Sequence, residues 1–149
     1  MNISQKIRWS YNVKTNWFQT ILRILLGSAL LFAGISHLTI ARLEFVAQVP
    51  TWLPLSADLV VILSGIVEVG LGASLIFIPK WKALIGWLAA IFFILIFPGN
   101  ISQYVNHIDA FGMHTDFDRL KRLFFQPVLV AWALWSTGAF KAYLKRNKR

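Results

Sequence analysis

Four long apolar segments constrain the fold of this chain more than any other feature of its sequence. They cover residues 21–40, 58–78, 83–101 and 123–140. Each is long enough for a helix that crosses roughly 30 Å of hydrocarbon at about 1.5 Å per residue. The sequence therefore predicts an all-α protein, with residues 1–149 forming a single membrane domain built as a four-helix bundle.

The composition also indicates that the chain lies in a membrane, and it limits the classes of molecule that the chain is expected to bind. Hydrophobic residues make up 57% of the chain and charged residues 14%, whereas soluble domains carry about 25% charged residues. The net charge is +9, but the basic residues lie between the apolar segments instead of on an accessible soluble face. This arrangement argues against nucleic acid, and the predicted partner is the lipid bilayer.

The chain contains no cysteine. It therefore has no dithiol relay, disulfide or thiolate metal site of its own. Any redox role requires a bound cofactor or a redox partner protein.

The distribution of Lys and Arg predicts the orientation in the membrane. Ten lie in the N-terminal segment, at residues 80–82 and in the tail from 141 to 149, whereas four lie in the other two connections. Basic residues are retained on the cytoplasmic side, so both termini are predicted to be cytoplasmic. The basic, aromatic segment before residue 20 suits a membrane surface, and we interpret the first span as retained. Apolar helical segments, in place of the alternating pattern of a β-barrel, favour the bacterial plasma (inner) membrane over an outer membrane.

The connections predict how the spans are arranged. Pro50 and Pro54 break any long helix between residues 41 and 57, and this connector is expected to lie along the interface as a cap. The short turn after Pro79 predicts that spans two and three are adjacent and antiparallel.

Glu68 is the one acidic residue predicted to lie within the membrane. A charged, unpaired acidic group there costs about 2.5–3.5 kcal/mol on insertion scales, so Glu68 should face inward and be protonated or partnered. It either fixes the packing of the helices or belongs to a site for a ligand or proton. Helical geometry places small and polar residues on one face of each of the first two spans: Arg23, Gly27, Gly34 and His37 on the first, and Ser64, Gly65, Glu68 and Gly72 on the second.

Polar residues also gather at the outer ends of spans three and four. Asn100 and Gln103 share a face with Tyr104 and His107 if the helix continues past Gly99. Pro98 and Pro127 each remove a backbone hydrogen bond at this depth, which predicts splayed helices and a pocket toward the outer leaflet. Ordinary helix ends with polar caps are the alternative. The candidate ligand-binding residues are Arg23, His37, Glu68, Asn100, Arg122 and Gln126.

Metal and haem sites have weaker support. His107, Asp109, His114 and Asp116 are suitable ligand types, but their spacing matches no established site. A solvated acidic loop that balances the nearby basic residues is favoured instead. Because His37 is the only histidine within a span, a haem held between two membrane histidines is not expected.

Several short motifs together resemble the DoxX-like family of small bacterial membrane proteins. They run from the first span to the start of the fourth, and Leu38 departs from the phenylalanine of many relatives. The motifs are Arg23, Leu26-Gly27, Ala33-Gly34-Ile35-Ser36-His37, Val49-Pro50, Trp52-Leu53-Pro54, Ser64-Gly65, Glu68, Leu71-Gly72 and Phe97-Pro98-Gly99-Asn100. The resemblance implies a four-helix bundle and, for the founding members, association with quinone-linked sulfur oxidation. More distant relatives act as membrane chaperones or cargo receptors.

Three functions follow as hypotheses. The first is a membrane subunit or accessory factor of a quinone-linked redox system, in which Glu68, His37 and Arg23 line a site for a quinone or another hydrophobic molecule. The second is a non-enzymatic assembly or chaperone-type binding protein. The third is permeation of a small molecule through a homo-oligomer. We do not expect the chain to be an enzyme on its own.

Overall fold

The computed structural model describes residues 10–146, which contain six α-helices, one short 3-10 helix at Pro79–Trp81 and no β-strand. The prediction of an all-α fold is confirmed. Three stretches are long and apolar enough to cross a membrane, and a fourth qualifies if α5 and α6 form one bent span. The helices are α1 (Trp17–Leu38), α2 (Arg42–Gln48), α3 (Ala57–Phe77), α4 (Lys82–Val105), α5 (Asp116–Ser136) and α6 (Ala139–Arg146).

Capping residues set helix boundaries that differ from the apolar segments. α1 begins at Trp17 because Asn16 and Gln19 form a capping box, with Gln19 N donating to Asn16 Oδ1 over 2.7 Å. α5 begins at Asp116, seven positions before the predicted span, because the Thr115 hydroxyl caps it. Hydropathy locates the lipid-compatible part of a helix, whereas the caps determine where the helix starts.

Small residues bring α1 and α3 into close contact. A Cβ added at Gly34 would lie 2.7 Å from the Gly65 carbonyl oxygen, and one added at Gly72 would lie 2.6 Å from the Gly27 carbonyl oxygen. The two backbones therefore touch at two levels. The predicted inward faces are confirmed, since these glycines are buried together with Glu68 and His37.

The third and fourth long helices form the second closely packed pair. α4 runs unbroken through Pro98 and continues past Gly99 to Val105, and α5 runs unbroken through Pro127. Neither proline ends its helix. Spans two and three are in contact, as predicted, but α4 packs most closely against α5.

The predicted fourth span over residues 123–140 is divided between two helices. α5 ends at Ser136, and the chain turns by 66° into α6. Gly138 adopts a left-handed backbone with φ of 70°, which glycine tolerates without a steric penalty. The Thr137 hydroxyl donates to the Ala133 carbonyl over 2.6 Å at the same bend.

The connections gather at two ends of the bundle. At one end, called here the basic end, Asn12 N donates to the Lys80 carbonyl over 2.7 Å and Lys82 Nζ donates to Thr15 Oγ1 over 2.7 Å. At the other, called the loop end, the Phe111 backbone N–H donates to Glu44, which links α2 to the loop between α4 and α5. The predicted basic, aromatic approach of residues 1–9 and the tail residues 147–149 lie outside the described residues.

Candidate functional site

A cavity of about 500 Å³ lies at the loop end of the bundle. Ligand pockets in proteins usually measure about 300–1,000 Å³ and combine apolar walls with a few polar groups. This cavity has both features, because apolar residues from α1, α4 and α5 form most of its wall. Its polar lining residues are His37, Gln48, Glu68, Asn100, Arg122 and Gln126.

Glu68 and His37 form the polar centre of the wall made by α1 and α3. Glu68 is 4% exposed, and its Oε2 atom lies 2.6 Å from His37 Nδ1. The same nitrogen lies 3.0 Å from the Ala33 carbonyl oxygen. The contact to the carboxylate is an ion pair when the ring is protonated, and within residues 10–146 no other side chain is hydrogen-bonded to Glu68 Oε2. A buried carboxylate paired with an imidazole thus borders an open space.

Aromatic rings hold the imidazole from the other side. The His37 ring stacks on Phe45 of α2 with ring centroids 3.3 Å apart, and Phe45 contacts the edge of Phe111 at 4.6 Å. These residues come from α1, α2 and the loop after α4. The short helix α2 therefore covers the cavity and also fixes the orientation of His37.

A hydrogen-bonded network of two glutamines and an arginine lies beside the aromatic rings. Gln48 Nε2 donates to Gln103 Oε1 over 2.7 Å. Arg122 donates to both side-chain oxygens, each at 3.2 Å, and its guanidinium lies 4.8 Å from the centre of the Phe111 ring. This network joins α2, α4 and α5, so it closes the loop end of the cavity.

A second amide pair connects α4 to α5 more deeply. Asn100 Nδ2 donates to Gln126 Oε1 over 2.9 Å, and Gln126 Nε2 donates to the Phe93 carbonyl over 2.6 Å. Both side chains are buried. This pair thus links the two helices by one hydrogen bond between side chains and one to the backbone.

Arg23 is the candidate residue that the structure does not bring to the cavity. It lies fourteen positions before His37 on α1, which places the two residues roughly 21 Å apart along the helix. Arg23 is buried at 4% exposure near the basic end, and its Nε and Nη1 atoms have no hydrogen-bond partner in the described part of the chain. The expectation that Arg23 lines a site with Glu68 and His37 is therefore corrected, because its position on the helix keeps it far from them.

The weak metal candidates in the loop form ion pairs instead. His107 Nδ1 lies 2.8 Å from Asp116, and His114 Nδ1 lies 3.7 Å from Asp109. Arg119 contacts both of these aspartates, and it also donates to the His107 and Ile108 carbonyls. Between residues 10 and 146, no three His, Asp or Glu side chains are grouped so that they could hold a metal ion.

Sequence reasoning missed Gln48, Phe45 and Phe111 as site residues. The first two belong to the connector that was expected only to cap the bundle. They are three positions apart, so a helix over residues 42–48 places them on one face. That spacing is a usable signal, whereas nothing local predicts that Phe111 reaches Phe45.

The comparison with known families places the chain in one of them. Residues 26–137, which include all the polar residues that line the cavity, match the family described as a domain of unknown function, DUF8561. This chain belongs to the DUF8561 family. No curated protein and no solved structure matches it. The DUF8561 description assigns no activity, and the cavity is the feature of the fold from which a function can be inferred.

Proposed function

We propose that this chain is a four-span protein of the bacterial plasma membrane that binds a hydrophobic molecule with a polar head group in the cavity beside Glu68. The carrying observation is the buried pair of Glu68 and His37 at the edge of a cavity of about 500 Å³. Ionisable groups within a membrane are functional candidates by default. An apolar cavity with a few fixed polar groups suits a molecule that has one polar end.

The ligand class that we propose is a lipid-soluble quinone. A quinone presents a flat ring with two oxygens and a long apolar tail. The stacked pair of His37 and Phe45 offers an aromatic surface to such a ring. The motifs that resemble the DoxX-like family imply the same ligand class, and in that context the chain acts as an accessory subunit that works with a redox partner protein.

Retention of quinone by the purified protein tests this proposal. We expect organic extracts of the detergent-purified chain to contain quinone at close to one molecule per protein. Glu68→Gln should lower that ratio several-fold, because it exchanges the carboxylate for an amide while keeping the size. Asp58→Gln is the matched control at the exposed start of α3 and should leave the ratio unchanged. Equal and negligible quinone in all three preparations would remove the proposal.

We propose further that both termini and the 79–82 turn face the cytoplasm. Three basic segments of the chain carry most of its Lys and Arg, and two of them contact each other at the basic end. Because the chain has no cysteine, single cysteines report topology without background. In intact cells, a membrane-impermeant maleimide should label His114→Cys and spare Lys80→Cys. The reverse pattern would invert the orientation.

An assembly or chaperone-type function without turnover is the second candidate. It is favoured by the network of Gln48, Gln103 and Arg122, in which the side chains satisfy one another and join three helices. On this hypothesis Glu68→Ala lowers thermal stability and expression and leaves quinone content unchanged. Permeation through a homo-oligomer stays a prediction from the sequence, and flux into reconstituted vesicles would test it.

A further inference from the structure

Hydrogen bonds join α1 to α5 near the basic end of the bundle. Gln19 Nε2 donates to the Trp135 carbonyl over 2.8 Å, and Trp132 Nε1 donates to the Leu22 carbonyl over 3.0 Å. Three residues forward on α1 thus match three residues back on α5, so the two helices are antiparallel. Within residues 10–146, no other hydrogen bond connects α1 with α5. Toward the loop end, hydrogen bonds no longer hold these two helices together.

The wall of the cavity is incomplete on this side. Seven residues, or about two turns, toward the loop end lead from Leu22 to Ala29 on α1. The same step on α5 leads from Trp132 to Phe125. Ala29 and Phe125 are the lining residues of the cavity that are exposed, Phe125 at 51%. The cavity therefore reaches the outer surface of the bundle between these two residues.

Aromatic residues indicate how deep this opening lies in the membrane. Phe18 and Trp135 are exposed and meet edge to face at 6.0 Å, as in the aromatic belt at a membrane interface. On α5, Phe125 lies ten residues before Trp135, which is about 15 Å along the helix. On α1, Ala29 lies the same distance beyond Gln19. Because the hydrocarbon is about 30 Å thick, the opening faces lipid acyl chains near mid-membrane.

Contacts close the other sides of the cavity. α1 and α3 touch through their glycines, and a buried amide pair connects α4 to α5. A separate, smaller pocket of about 160 Å³ lies between α3 and α4. His37, Phe45 and Gln48 line both this pocket and the cavity, so their side chains stand between the two. The gap beside Phe125 is thus the side on which the cavity meets lipid.

We infer that the ligand enters sideways from the lipid between Ala29 and Phe125, and that its tail stays in the bilayer while its head group lies beside Glu68. This inference rests on the proposed function and narrows its ligand class. A tail that leaves through the opening need not fit within about 500 Å³. The site therefore suits long-tailed lipids, and Phe125 is the residue that the tail passes.

Two quinones with the same head group test this inference on the wild-type chain. One has a decyl tail and the other a long polyprenyl tail, and both are present in equal amounts in lipid nanodiscs that hold the protein. The protein is repurified in detergent, and its quinones are extracted and separated by chromatography. We expect close to equal retention of the two, because the opening lets either tail remain in the lipid. Retention of the decyl quinone alone would overturn the inference and leave the proposed function standing.

A removable bridge across the opening tests the route of entry. Because the chain has no cysteine, Ala29→Cys and Phe125→Cys can be joined specifically by a cleavable bis-maleimide. The bridge should slow exchange of bound quinone with isotope-labelled quinone in vesicles several-fold, and cleaving it should restore the rate. A bridge between Val60→Cys and Leu95→Cys, which line the pocket between α3 and α4, is the matched control and should leave the rate unchanged.

The outcomes separate the route of entry from the proposed function. Exchange that slows only with the control bridge, or with neither bridge, would overturn the inference, although the protein would still bind quinone. Absence of quinone from every preparation, wild type included, would overturn both. The comparison of tails needs no variant to fold, and each bridged protein is compared with itself after cleavage.

Discussion

Glu68 and Arg23 are both buried ionisable residues on inward helix faces, and each is 4% exposed. Glu68 borders a cavity and has His37 within 2.6 Å. Arg23 does not line that cavity, and two of its nitrogens lack a hydrogen-bond partner among the residues described. The two residues look alike in the sequence, since each is a charge among glycines on one face of a span. The difference shows that an inward charge marks a binding site only where the fold leaves space beside it.

The largest effect is expected where the helix pair beneath Glu68 is forced apart. In Gly34→Ala the new Cβ would lie 2.7 Å from the Gly65 carbonyl oxygen and 2.8 Å from Val69 N, which are backbone atoms with little freedom to move. Overpacking of this kind costs about 1–3 kcal/mol. We expect a melting temperature several degrees lower and loss of quinone retention.

Gly70→Ala is the matched control for this substitution. It lies in α3, and a Cβ there meets nothing within 4 Å. Alanine is favoured over glycine within a helix by about 0.5–1 kcal/mol. The melting temperature should therefore stay the same or rise slightly. Equal melting temperatures for the two variants would show that the close approach of α1 and α3 is not tight.

An intermediate effect is expected from the network that closes the cavity. Arg122→Met removes a donor to two glutamine oxygens, while Gln48 and Gln103 remain hydrogen-bonded to each other. Hydrogen bonds to charged groups contribute about 1.5–3 kcal/mol, part of which methionine regains by packing. We expect a stability loss of about 1–2 kcal/mol, measured by denaturation in detergent.

Arg42→Met tests whether this effect is specific to the cavity. Arg42 donates to Asp58 at 2.7 and 2.8 Å in an exposed ion pair. Exposed pairs contribute about 0.2–1 kcal/mol. The loss should therefore be smaller than for Arg122→Met. A larger loss for the exposed pair would contradict the role given to the buried network.

The smallest effect is expected at the basic end. A buried charge without a partner carries a desolvation penalty that an apolar residue of similar volume does not. Arg23→Met should therefore keep or raise the melting temperature, and quinone content should not change. A loss of quinone from Arg23→Met as large as that expected for Glu68→Gln would contradict the distinction drawn between Arg23 and Glu68.

Much of the fold follows from the sequence for identifiable reasons. The long apolar segments predict the helices, and the 100° spacing of residues along a helix predicts that Gly34, His37, Gly65 and Glu68 face inward. The bend at Gly138 was missed, because a glycine after Ser136 and Thr137 is compatible with an unbroken membrane-spanning helix, in which glycine is frequent. The early start of α5 was missed because its first two turns are polar, and only the Thr115 cap marks them.

The site is less predictable because its residues come from distant parts of the chain. Glu68, Asn100 and Gln126 were expected from their helix faces, and all three line the cavity. The contribution of α2 was not expected, since its position over His37 depends on a stacking contact and on bonds to Gln103. A helical wheel shows which side of a helix a residue faces, but it does not show how far along the helix axis the residue lies. That limitation explains why Arg23 was grouped with His37.

The location of a photoreactive ligand tests the central claim most directly. Purified protein would be illuminated with an azido derivative of a benzoquinone that has a decyl tail. It would then be digested, and the labelled peptides would be sequenced by mass spectrometry. We expect saturable labelling, reduced by unlabelled quinone, at residues of the cavity such as Phe45, Phe111 and Phe125. Labelling confined to the basic end around Arg23, or labelling that unlabelled ligand does not reduce, would contradict the claim.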